Sequence, residues 1–339
     1  MRSTETARSR TAQLLRSAAR YLDTVDPNPV MGHAIGDAIA MTKNTPVAPQ
    51  FAESAPGSLS LLVHPGGSTR DRVALSTEAA GDLVQRHFGG GAARWLASRM
   101  EQAQDARSEA FFGGGFDRDG VAEGVIGFDL FDRQVDLLPR GLASLAKTAL
   151  SAIPNARVLS TMIRCGRAAG TQQVTVEPVS DIALADLKPL MDEIGLGHQH
   201  PSLMSSAAFL LGARFTLPGG TSRVTLRPIR EGVEMRLDII LEKIPDPPPQ
   251  LMSLLRLWMT ERPRSVQGLD RWLSAFTPEG FPNAGDVTVL SVWVRSNVPA
   301  RMALFLRPAA LSTTDAPIDS PPPRPQRPAT ASFVASPWD

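Results

Sequence analysis

The sequence predicts an α/β fold: a closed ten-stranded antiparallel β-barrel of five helix–strand–strand–helix repeats, with the helices outside. Three observations predict it. Runs alternating apolar and polar residues occur in pairs, as strands with one face on a core do. The turn inside each pair is short, which forces antiparallel pairing. Stretches of helical periodicity separate each pair from the next, so the pattern is an internal repeat. A doubly wound parallel sheet would need single strands alternating with single helices.

The pair at the C-terminal end is the clearest, Asp286–Asn297 with Arg301–Pro308. Upstream the pairs are Pro46–Glu53 with Ser58–Pro65, Glu109–Asp117 with Val121–Phe131, Arg157–Cys165 with Gln172–Pro178, and Ser222–Arg230 with Val233–Leu241. Leu14, Leu15, Ala18, Ala19 and Leu22 predict an amphipathic opening helix. Further helices are expected over Ala79–Gln104, interrupted at Gly89–Gly91, and over Leu138–Ile153. Ala183–Leu211 is expected to hold two helices split near Pro201, and Gln250–Phe276 a pair split by Pro263.

Residues 1–310 form one domain on this reading, and the composition changes at Leu311. The proline-rich 311–339 stretch has little to bury and is expected to be a disordered tail; its PPPRP run would suit a reader of proline-rich motifs. A hydrophobic fraction of 42% with a net charge of +1 over 339 residues describes a globular protein and excludes bulk attraction to nucleic acid or an acidic membrane. No apolar run reaches membrane-spanning length and the N-terminus has no signal-peptide core, so a cytoplasmic location is expected. Cys165 is the single cysteine, which rules out an internal disulfide. The H-x-H at His198 and His200 reads as a helix-joining loop rather than a metal site. The Gly113–Gly115 run inside a strand signals a bulge or a close approach by a ligand.

Alternation also divides the strands into faces. The apolar face packs on helices, so the polar face looks into the barrel. This places Arg223, Thr225 and Arg227 inside, with Glu234, Arg236 and Asp238, then Ser291, Trp293 and Arg295, then Arg301, Ala303, Phe305 and Arg307. Ser58, Ser60, His64, Asp129, Gln173, Thr175 and Glu177 join them from earlier strands. Guanidinium groups sharing one cavity require compensating carboxylates or an anionic ligand such as a diphosphate.

The five repeats, the segment NTPVAPQF followed by SLSLLVHPGG, and the closing DVTVLSVWVRSNVPARMALFLRP together resemble the ABBA-type aromatic prenyltransferases, in particular their indole branch. The resemblance covers about Asp26–Pro308. It implies a prenyltransferase barrel in specialised metabolism that joins an allylic diphosphate to an aromatic acceptor, indole-like or phenolic. No cofactor and no metal is implied, since these enzymes lack the aspartate-rich magnesium motif. In that scheme Arg223, Arg227, Arg236, Arg295 and Arg307 hold the diphosphate. Trp293 and Phe305 shield the allylic cation, and Glu177, Glu234, Asp129 and His64 are the candidate bases. The chain departs from the pattern at Ala48, where the indole branch has glutamate, and at Ser60, near the family's arginine. The shielding tyrosines are also absent, the one tyrosine being Tyr21. These departures favour a second reading, a degenerate barrel that binds or cyclises a hydrophobic molecule without ionising a diphosphate.

Overall fold

The computed structural model describes residues 2–22, 47–65, 67–102, 109–167 and 169–309. The proline-rich tail therefore lies outside the described residues. Ten strands close into one antiparallel barrel in the order β1-β12-β11-β10-β9-β6-β5-β4-β3-β2. They are β1 (Val47–Ala52), β2 (Leu59–Val63), β3 (Ala110–Asp117), β4 (Gly120–Asp129), β5 (Ala156–Gly166), β6 (Gly170–Pro178), β9 (Ser222–Ile229), β10 (Gly232–Ile240), β11 (Gly285–Arg295) and β12 (Val298–Pro308). The five hairpins are those expected, with bounds shifted by a few residues. A two-stranded annex, β7 (Ile182–Ala183) with β8 (Thr216–Leu217), was not expected; strands this short carry no readable alternation.

The helices are α1 (Arg2–Leu22), α2 (Thr69–Gln102), α3 (Arg140–Ala152), α4 (Lys188–Glu193), α5 (His200–Leu210), α6 (Leu251–Trp258) and α7 (Pro263–Phe276). Helix α2 starts ten residues before the expected Ala79, and a Ser68–Asp71 capping box explains why. The Asp71 N–H donates to Ser68 Oγ and the Ser68 N–H donates to Asp71 Oδ2, each at 3.3 Å. Of the three glycines expected to break α2, only Gly89 leaves helical geometry, at φ 79°. The next pair is split close to Pro201, as expected: the break spans residues 194–199, with Gly195 at φ 76°, and Pro201 sits in the first turn of α5, where a missing N–H costs nothing.

Outward strand positions such as Leu226, Met235, Val292 and Leu304 pack under these helices and are fully buried. Trp272 of α7 is buried against Phe51 of β1 and Phe276, with ring centroids 5.7 and 5.9 Å away. Each such large apolar side chain contributes about 1.5–3 kcal/mol. The barrel closes along a short seam in which Gln50, Phe51 and Ala52 of β1 face Phe305, Leu304 and Ala303 of β12. Glu53 completes that seam. Its N–H donates to the Met302 carbonyl at 2.9 Å, and its fully buried carboxylate accepts from the Met302 N–H, from Arg301 at 2.9 Å and from Arg262 at 2.6 Å.

Candidate functional site

All five hairpin turns lie at one end of the barrel, and the helical connections at the other. Inside the turn end is a cavity of about 730 Å³. It is bordered by Gln50, Ser60, Glu123, Arg164, Gln173, Arg227, Glu234, Arg236, Trp293, Arg295 and Ala303, among others. A second depression, of about 690 Å³, is lined among the described residues by the first turns of α2, Thr69 to Glu78. The lumenal cavity, concave and polar on several strands, has the character of a ligand site.

Register explains why these side chains meet. Arg236 lies opposite Thr225 on one side and Trp293 on the other; Glu234 lies opposite Arg227. Residues opposite one another on neighbouring strands share a face. The Arg295 guanidinium stands 5.6 Å from the Trp293 ring centroid. Arg227 Nη2 is 2.7 Å from Glu234 Oε1, and Arg236 approaches Asp238 at 2.8 and 2.9 Å. Asp238 also accepts from the Ser291 hydroxyl. Arg164 pairs with Glu123 across the β4–β5 ladder.

Arg164 and Glu123 were not among the expected lining residues. A register shift in β5 between Val158 and Ser160 reverses the alternation, so Arg164 faces inward although Val158 packs outward. Glycine makes room for Glu123: a Cβ on Gly115 would sit 2.7 Å from its Cγ. The expected bulge is present as a register shift between Gly115 and Phe116, and the close approaches to the glycine run come from the protein's own Leu61, Leu62 and Glu123 rather than a ligand.

The expected site residues divide into groups. Arg227, Arg236, Arg295, Glu234 and Trp293 border the cavity. Phe305 is buried, opposite Gln50, below it. Arg301, expected inside, is committed to Glu53. Arg307 does not join the cluster: it lies at the far end of β12, opposite Asp286, where its side chain is 42% exposed and pairs with Glu242. Arg223 does not border the cavity either. It faces Glu177, 3.7 Å away, which Arg157 also holds at 2.5 Å. Glu177 is therefore a bridging carboxylate away from the cavity. His198 and His200, the two histidines of the H-x-H, bond to the Ser296 and Leu184 carbonyls at 2.9 and 3.1 Å.

His64 and Asp129 occupy the helix-connection end with Arg223. The His64 ring stacks on Phe111 at 5.0 Å, while the residue keeps an exposed surface. Loss of hydration, and then the Arg223 charge, hold the imidazole down at about 4. Burial and then repulsion by Glu109 push the Asp129 carboxyl up to about 6, against the attraction of Arg223 and Arg72. The signs are opposite. A lowered imidazole adds stability at neutral pH that is lost as pH falls from 6.5 towards 4. A raised carboxyl adds stability at low pH that is lost as pH rises from 3.8 towards 6. Asp129→Asn should therefore gain stability relative to the parent between pH 4 and 7, by about 1 kcal/mol once solvent screening of this partly exposed group is allowed for. His64→Gln should lose the opposite slope. Urea unfolding at the two pH values checks both, and parallel pH profiles for all three proteins would refute them.

No protein-family model matches this chain, and neither does any curated protein. Solved structures do. Prenyltransferase PriB in its apo form aligns with a TM-score of 0.67 at 14% identity, over 94% of this chain and 99% of that one. The 6-dimethylallyltryptophan synthase from Micromonospora olivasterospora, solved with DMASPP and Trp, aligns with a TM-score of 0.71 at 12% identity, over 92% and 99%. The 5-dimethylallyltryptophan synthase from Streptomyces coelicolor gives 0.69 at 14%, over 94% and 99%. The fold is that of the ABBA prenyltransferase barrels, spanning nearly the whole of each chain. Among the described residues no helix is long and apolar enough to cross a membrane.

Proposed function

We propose that this protein transfers a prenyl group from an allylic diphosphate to an aromatic acceptor inside the turn-end cavity. The observation that carries the reading is a surplus of donors there. Arg164 Nε and Arg227 Nε are buried with no acceptor among the described residues, and Arg295 has no carboxylate partner among them. A buried donor left unmet costs about 1–3 kcal/mol, so the wall calls for a ligand rich in oxygen acceptors. Diphosphate is such a ligand, and guanidinium forks bind it in bidentate fashion.

Arg227, Arg236 and Arg295 hold the diphosphate on this reading, and Arg164 faces it across the cavity. Their charge stabilises the leaving group as the allylic C–O bond breaks. The Trp293 face, already carrying a cation at 5.6 Å, is placed to stabilise the allylic cation. Glu234 is the candidate base that borders the cavity and takes the ring proton. Support also comes from the fold shared with enzymes named as dimethylallyltryptophan synthases.

A second reading, binding without ionisation, is favoured by two positions. Ala48 faces Leu62 and offers no carboxylate, and Tyr21 is buried on α1, where it shields no cation. Calorimetric titration with dimethylallyl and geranyl diphosphate, followed by diphosphate-release assays with indole and phenolic acceptors, separates the two. Binding with release supports transfer; a protein silent to both donors at millimolar concentration is not a prenyltransferase.

A further inference from the structure

We infer that Glu234 is the resident counter-ion of Arg227 and is displaced by the donor's diphosphate, which frees the carboxylate oxygen held by Arg227 to receive the ring proton. The inference rests on the proposed diphosphate site. Three arginines of the cavity carry carboxylates, but these are not held alike. Asp238 makes two contacts to Arg236, accepts from Ser291 and is buried. Glu123 pairs with Arg164 and is packed over Gly115. Among the described residues Glu234 has one contact, to Arg227 Nη2 at 2.7 Å, near the β9–β10 turn, where Gly232 lies opposite Ile229. The Arg227 Nε meanwhile has no acceptor among the described residues, so the fork is only half engaged.

A diphosphate offers both edges of that fork an oxygen and carries more charge than one carboxylate. Glu234 already borders the cavity, so exchange needs only rotation of its side chain off Arg227. The chemistry then balances. The allylic C–O bond breaks and its electron pair leaves with the diphosphate. A ring π pair forms the new C–C bond. The C–H pair at that carbon restores aromaticity, and the proton passes to the Glu234 carboxylate. While Glu234 remains bonded to Arg227 Nη2, its Oε1 is engaged there, and exchange frees that oxygen to receive the ring proton.

The test uses inorganic pyrophosphate with the full chain, by calorimetry, alongside single-turnover transfer. Removing a competing anion should tighten binding: Glu234→Gln should bind pyrophosphate about five- to tenfold more tightly, matching the loss of a partly exposed ion pair. The same variant should transfer the prenyl group at least about a hundredfold more slowly, the usual cost of a lost general base. Pyrophosphate binding unchanged or weakened in Glu234→Gln, with the parent binding normally, overturns the exchange. A parent that binds no pyrophosphate overturns the diphosphate site itself. Should Glu234→Gln fail to fold, Glu234→Asp, which shortens the reach to Arg227, must also bind pyrophosphate more tightly.

Discussion

Glu53→Ala should lower the unfolding free energy by about 3–5 kcal/mol, the largest single-residue effect expected in this chain. The carboxylate is fully buried and joins three elements: the end of β1, Arg301 of β12 and Arg262 at the start of α7. Deleting it leaves two guanidinium groups partly buried beside each other, together with an unmet Met302 N–H. The β1–β12 seam is only three residue pairs long, so little else holds the barrel closed there. Urea denaturation followed by tryptophan fluorescence, to which Trp272 packed on Phe51 of β1 contributes, reads the loss. Glu53→Gln should recover part of it, because an amide oxygen still accepts from Met302 and Arg301. A loss below about 1 kcal/mol in Glu53→Ala would show that water compensates both arginines.

The barrel was legible because its signals are local and repeated. Each hairpin has a short turn and a two-residue period, and five repeats reinforce one another. Helix limits were less legible where a capping pair, not an apolar stripe, set the start. Ser68 and Asp71 were in plain view, but α2 is polar at its exposed beginning and its periodicity becomes visible only near Ala79. Pro201 and Pro263 were legible as helix breaks because proline fits the first turn of a helix and so marks where the second of each pair begins.

The site was legible only where alternation ran unbroken. In β9 and β10 the apolar partners Val224, Leu226, Met235 and Leu237 all pack outward, and Arg227, Glu234 and Arg236 take the other face. The β5 bulge hid Arg164, since a slip of one residue inverts the pattern. Periodicity gives a face but no height along the barrel. Arg223 and Arg307 share the alternation of Arg227 and Arg236, yet they stand towards the other end, where Glu177 and Glu242 neutralise them. Which carboxylate partners which arginine depends on strand neighbours distant in sequence, such as Arg262 with Glu53, and no local pattern encodes it.

Arg295 gives the cleanest test of the cavity's chemistry, because its removal strands no carboxylate among the described residues. Arg295→Ala should weaken allylic diphosphate binding by about 1.5–3 kcal/mol, the worth of hydrogen bonds to a charged group, or roughly 10- to 150-fold in Kd. The same truncation of Arg236 would also expose the buried Asp238 as a lone charge, confounding affinity with stability. Trp293→Ala should behave differently. Its ring faces a permanent cation, Arg295, in the free protein, and the allylic cation arises only after the C–O bond breaks. Loss of the ring should therefore lower kcat more than donor affinity, since an interaction made only as charge develops acts on the barrier and not on binding. Calorimetry for Kd and single-turnover product formation for the chemical step separate the two effects. Equal losses in both for Trp293→Ala would make the indole a packing surface for Arg295 and remove it from the chemistry.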